Sequence, residues 1–227
     1  MLYELLTIFR SKNPMTAITK NFSRMLSLTH EMTLFASDIF FGRECTPDER
    51  KSIYEQDIQV NQLQRTIRKQ IITHLSIRGN IPDVRYCLLL MSLVKDVERL
   101  GDYAKNILEL TDFRPQKLPD GNIGDELRSI RQEITDTFEI TREVFISLEK
   151  DRALSLIQEG RGISHRSDAL IERIAQAQYE SHSTTALVLG ARYYKRIEGH
   201  LLNLLSGIVM PLHKVDYFDE DEINMRA

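Results

Sequence analysis

The sequence predicts an all-α fold of two tandem antiparallel three-helix bundles, and three observations predict it. Apolar residues recur at three-, four- and seven-residue intervals along several long stretches, the signature of amphipathic helices. Capping signals and turn residues bound these stretches. A set of three stretches also recurs after a Pro- and Gly-containing break near the middle. Composition agrees: 10 glycines and 6 prolines in 227 residues lie below the usual shares of about 7 and 5 per cent, and 28% of residues are charged. A chain of this length buries a sizeable core without disulfides or metal.

The first helix of the first half is marked by Phe22, Met25, Leu26, Met32, Phe35, Ala36 and Ile39, and Gly42 closes it. Thr46-Pro47-Asp48-Glu49 then reads as a capping box with proline at the first helical position. The helix it opens carries Ile53, Val60, Leu63, Ile67, Ile71 and Leu75 and stops at Gly79-Asn80. Pro82-Asp83 opens the third, striped by Val84, Cys87, Met91, Val94, Val97, Gly101, Ala104 and Leu108, and Pro115 ends it. Short connections force neighbouring helices to reverse direction, hence an antiparallel bundle.

Thr111 to Gly124 reads as a linker, and the pattern restarts beyond it. Ile130, Ile134, Phe138, Val144 and Phe145 mark a fourth helix, Leu154 to about Tyr179 a fifth, and Thr184 to Leu212 a sixth. Glu98 to Asn106 aligns over Lys195 to Asn203 at a constant offset of 97, so that Arg99 meets Arg196, Leu100 meets Ile197 and Asn106 meets Asn203. The expected organisation is an amphipathic segment at 1–20, a first repeat at 21–114, a second at 125–215 and an acidic tail at 216–227.

Thirty basic against 33 acidic side chains give a net charge of −3, which excludes nucleic acid as a general partner. Two cysteines in unrelated contexts write neither a zinc site nor a disulfide framework, and the opening apolar run is too short to span a membrane, so a cytoplasmic protein is expected. Leu2, Leu5, Leu6 and Phe9 gather before Asn13-Pro14, with Arg10, Lys12, Lys20 and Arg24 following. This apolar face with a basic flank suits docking on a membrane surface or a membrane-embedded partner, or capping of the first bundle. The tail from Asp216 to Glu222 carries five acidic groups in seven residues, and it is expected to tune association with basic partner loops through screened charge.

Glu98 and Asp102 lie one helical turn apart beside the apolar stripe, and Asp57 and Asn61 repeat that spacing on the preceding helix. If those helices are antiparallel neighbours, the four oxygen-bearing side chains converge on one groove, a donor set suited to a hard or borderline cation. The alternatives are a helical scaffold whose acidic flank is only a solvated face, or a carboxylate-bundle metal-binding enzyme, which usually adds a Glu-x-x-His that this chain lacks. His74, His165, His182, His200 and His213 are scattered and read as surface or boundary residues.

The string from Asp96 to Ile107, DVERLGDYAKNI, resembles the signature helix of the phosphate uptake regulator (PhoU) family, and Glu55 to Asn61 resembles its partner motif. The resemblance implies a cytoplasmic regulator, peripheral to the inner membrane face, that binds a phosphate transporter, its sensor histidine kinase, or both. It allows a homodimer, and it implies a divalent or iron-type metal at repeat 1 on Asp57, Asn61, Glu98 and Asp102, with no catalytic residue. In the second repeat the equivalents of Glu98 and Asp102 are Lys195 and Gly199, and the preceding helix offers Ser164 and Asp168, so no second cluster is expected. Glu198 and His200 could improvise a site of their own, which nothing in the family pattern supports. The helical-scaffold alternative has no phosphate role.

Overall fold

The computed structural model describes residues 14–77, 79–112, 118–119 and 121–216. Six long helices account for most of them: α1 (Pro14–Phe40), α2 (Pro47–Leu75), α3 (Val84–Glu109), α4 (Asn122–Ser147), α5 (Lys150–Gln176) and α6 (Ser181–Val209). No strand occurs among the described residues. α1 begins at Pro14 rather than Asn21, so residues 14–20 are the opening turns of the first bundle and not part of a separate segment. Ile18 explains why: it is fully buried, and proline is tolerated in a first helical turn, where its missing N–H is not needed. Residues 1–13, with the Leu2/Phe9 face, and the tail beyond Asp216 lie outside the described residues.

The start of α2 follows its capping box, with Glu49 N–H donating to Thr46 Oγ1 at 3.2 Å and Thr46 N–H donating to Glu49 Oε2 at 2.9 Å. After Leu75 the chain reverses through Gly79, whose φ of 105° lies in the left-handed region open to glycine. His74, which the sequence placed at the surface or boundary, is buried and locks this turn through Asp83 Oδ2 at 2.7 Å, while Asn80 Nδ2 donates to the His74 carbonyl at 2.8 Å. α6 ends at Val209 because Pro211 supplies no N–H to continue it.

α2 packs on α1 and α3, and α5 on α4 and α6; α1 meets α4 and α3 meets α6 between the halves. Both inter-repeat pairs are antiparallel. Phe22 stacks on Phe145 at 5.0 Å while Arg142 Nη2 donates to Ser27 Oγ at 2.9 Å, and Asp38 near the other end of α1 pairs with Arg131. One buried cluster therefore runs through both bundles, from Ile18 and Phe22 to Leu201 and Leu204. A smaller one, built on Val144, Ala153, Leu156, Ile157, Leu202 and Leu205, closes the α4–α5 turn end of the second bundle.

α3 carries more apolar surface than one stripe because it is covered on two sides. Gly101 faces Thr29, Val60 and Met32 of its own bundle, an approach that leaves an added Cβ in ordinary contact distance. On the opposite side Leu89 and Leu93 sit against Gly207 of α6.

Candidate functional site

The structure brings Asp57 of α2 together with Glu98 and Asp102 of α3 in the groove between those helices, and places a lysine among them. Lys105 Nζ lies 3.2 Å from Asp57 Oδ2 and 3.4 Å from Asp102 Oδ1. Arg99 Nη1 holds the other Asp102 oxygen at 2.9 Å, and its Nε lies 3.8 Å from Glu98 Oε2. All three carboxylates are largely shielded, with side-chain exposures of 14% for Asp57, 20% for Glu98 and 25% for Asp102. Asn61 is half-buried one turn beyond Asp57.

The electrostatics follow from that geometry. Burial pushes the Glu98 carboxyl above its ordinary range, and the neighbouring Asp102 and Asp57 charges add to the shift. Burial opposes the charge on Lys105, yet its hydrogen bonds and attraction to Asp57 and Asp102 outweigh this and raise its pKa. Lys105 therefore stays an ammonium at neutral pH and stands where a metal ion shared by Asp57 and Asp102 would sit. Among the described residues no group of three or more His, Cys, Asp or Glu is arranged to hold a metal. The donor set expected at repeat 1 is thus assembled in part, around an internal cation, Lys105.

The equivalent groove of the second repeat shows the same solution in simpler form. Lys195, at the position of Glu98, is ion-paired with Asp168 of α5. Glu198 and His200, adjacent in sequence, face different surroundings. His200 Nδ1 lies 2.8 Å from Asp96 Oδ1, and Asn203 Nδ2 donates to the same oxygen at 2.8 Å, so a buried carboxylate on α3 is held by two groups of α6. Tyr103 and His200, equivalent under the offset of 97, stack on each other at 5.7 Å. The contact of Tyr193 with Tyr103, at 5.8 Å, is the counterpart of that between Asp96 and His200. A pseudo-twofold axis therefore passes between Tyr103 and His200.

Sequence reasoning missed Asp96 as a tie between the halves; its signal is a polar residue on the face formed by Leu89, Leu93, Leu100 and Tyr103. It also missed the setting of Glu198, which is completely buried with neither carboxylate oxygen hydrogen-bonded among the described residues. Burial, with the Glu133 and Glu159 charges, raises the Glu198 pKa to about 8. Gly160 of α5 makes the room: an added Cβ there would collide with Glu198 Oε1.

Comparison with known proteins places this architecture. Residues 22–111, the whole first bundle from early in α1, match the model of the PhoU domain. The first bundle thus carries a match to the PhoU domain. Proteins from two strains of Caulobacter vibrioides, each described as a phosphate-specific transport system accessory protein PhoU homolog, are 27% identical to it over 108 residues. That alignment covers 47% of this chain and 44% of theirs, less than half the length of these relatives. The fold likeness is wider. PhoU from Pseudomonas aeruginosa superposes with a TM-score of 0.76 at 19% identity, over 86% of this chain and 95% of that one. The phosphate transport system regulatory protein PhoU from Streptococcus pneumoniae gives 0.72 at 18%, over 85% and 92%. The PhoU fold thus extends through the second repeat, although the family model matches only the first.

The groove yields one prediction. Removing Lys105 leaves Asp57 and Asp102 shielded with a missing counter-charge. Lys105→Met is therefore expected to gain thermal stability on addition of millimolar Mn²⁺ or Ca²⁺, while the unaltered protein and the Lys105→Met/Asp57→Asn/Asp102→Asn triple variant respond little. Stoichiometric metal in the purified unaltered protein, lost in Glu98→Gln/Asp102→Asn, would instead restore a metal centre at repeat 1.

Proposed function

We propose that this chain regulates phosphate transport and the response to phosphate starvation by binding other proteins rather than by turnover. The observation that carries the reading is the PhoU domain at residues 22–111, set in a fold that matches PhoU structures along 86% of the chain. Its partners in this reading are a phosphate transporter, its sensor histidine kinase, or both, met at the cytoplasmic face of the membrane, and a second copy of the chain is a further partner state. No helix among the described residues is long and apolar enough to cross a membrane, so membrane association rests on such a partner or on a surface contact. The acidic groove is a recognition surface whose charge is balanced by Lys105 and Arg99, and a divalent or iron-type metal held there by Asp57, Asn61, Glu98 and Asp102 would have to displace Lys105.

The test is affinity capture of the tagged chain from phosphate-replete and phosphate-starved cells, with the recovered proteins identified by mass spectrometry. Enrichment of a phosphate transporter subunit or its kinase, changing several-fold between the two conditions, is the expected result. Equal recovery of both in capture and mock samples, in either condition, would overturn the reading.

A further inference from the structure

The seam between the repeats holds a cavity of about 390 Å³ lined by Asp38, Phe41, Arg43, Arg128, Arg131 and Gln132. It opens where the C-terminal end of α1 meets the first turns of α4. Three guanidinium groups and one carboxylate line it, in a chain whose net charge is −3, and the carboxylates that pair with two of the guanidiniums, Glu49 and Asp125, lie outside the lining.

Each guanidinium is positioned by a different neighbour. Arg43 lies 4.8 Å over the Phe35 ring and pairs with Glu49 at 2.5 Å. Arg128 lies 5.9 Å from the Phe41 ring centre and pairs with Asp125 at 2.9 Å. Arg131 pairs with Asp38 and donates through Nη1 to Gln132 Oε1 at 3.3 Å. The Gln132 amide is oriented for this because its Nε2 donates to Asp136 Oδ1 at 2.8 Å. Arg131 Nε is buried with no acceptor among the described residues.

A guanidinium has five N–H donors in a planar fork. One carboxylate leaves much of each fork for a second acceptor. The pairs with Glu49 and Asp125 are solvent-exposed and therefore weak, so a polyanion that engages two forks at once displaces them. The volume falls in the range of small-molecule sites, roughly 300–1,000 Å³, and is too small for a folded partner. Forks that approach from three side chains match the tetrahedral oxygens of a phosphoryl group better than a planar carboxylate, which one fork satisfies.

We propose that this seam pocket is a binding site for a small phosphate-bearing anion of charge −2 or more, held by Arg43, Arg128 and Arg131 with the Phe41 ring as an apolar wall. The site joins α1 to α4, so occupancy bridges the two repeats. The proposal rests on the pocket itself and stands or falls independently of the transport reading.

Calorimetric titration of the full chain at fixed ionic strength with inorganic phosphate, pyrophosphate, tripolyphosphate and ATP tests it, with citrate as a polycarboxylate control. Saturable one-to-one binding of at least one phosphate compound is expected, weakened roughly tenfold by Arg43→Gln or Arg128→Gln and lost in the double variant. The four titrations separate free phosphate from longer phosphate chains and from nucleotides. Both arginines are partly exposed, at 44% and 39%, so unchanged unfolding curves are expected to accompany the loss. Arg131 is left intact because its pair with Asp38 ties the repeats together. No saturable binding of any phosphate compound, equal binding of citrate, or full affinity in the double variant would overturn the assignment.

Discussion

Glu198→Gln is expected to remove a large pH-dependent loss of stability. In the folded protein the Glu198 carboxyl has a pKa of about 8, against an ordinary 4.5 when the chain is unfolded. Between those values the folded state keeps a proton that the unfolded state has released, so stability falls as pH rises, by about 1.4 kcal/mol per pH unit from this group. The contribution is complete below pH 4.5 and lost by pH 8, a total of up to about 5 kcal/mol. Among the described residues the charges that bear on Glu198 are Glu133 from α4 and Glu159 from α5, and both raise its pKa. The amide of glutamine keeps the size and cannot ionise. Urea unfolding at several pH values should therefore show the variant close to the unaltered protein near pH 5 and more stable by several kcal/mol near pH 8. Parallel stability curves would mean that Glu198 finds water or a partner in solution.

Glu198 also shows where the sequence was legible and where it was not. Its position in the stripe Ala191, Tyr194, Leu201 and Leu205 is visible from spacing alone and marks a charge turned inward. Alignment with the first repeat drew attention instead to Lys195 and Gly199 and left Glu198 outside the family pattern. Helix starts and ends were readable where the backbone needed a particular residue, as with Thr46 and Glu49 at a cap and Gly79 at a left-handed turn, whereas the sixth helix was carried past Pro211 to Leu212 and ends at Val209. α1 was read short because residues 14–20 contain only Met15 and Ile18 as large apolar residues, and one buried isoleucine is a weak signal. The acidic groove was foreseen from one-turn spacing, but spacing does not say which neighbour fills a groove. Lys105, three residues beyond Asp102, reaches across to Asp57, and that choice belongs to the packing of α2 on α3.

Phe40→Ala is expected to cost about 3–5 kcal/mol and to weaken both repeats at once. Phe40 ends α1 with no exposed surface, its ring edge-on to Phe41 at 5.2 Å and to Tyr194 of the other repeat at 6.4 Å. Gly190 of α6 lets that ring in: an added Cβ would come within 2.7 Å of it. The Tyr194 hydroxyl, buried beside it, donates to Ser37 Oγ at 2.9 Å, so the aromatic contact and the hydrogen bond both cross from α6 to α1. Truncating the ring opens a cavity at the seam, and the apolar cluster that continues through both bundles passes through that seam. Because neither bundle has a large core of its own that excludes the other, unfolding should remain a single transition shifted to lower denaturant. The chain has no tryptophan, and Tyr103, Tyr193 and Tyr194 lie at or beside the seam, so near-ultraviolet tyrosine signals report on it while far-ultraviolet dichroism reports on the helices. The two signals should move together, and Ile58→Ala, at a residue 54% exposed on α2, should move neither by more than about 0.5 kcal/mol. A tyrosine transition that separates from the helical one in Phe40→Ala would show that the repeats unfold as independent units, and the shared core would have to be redrawn as two.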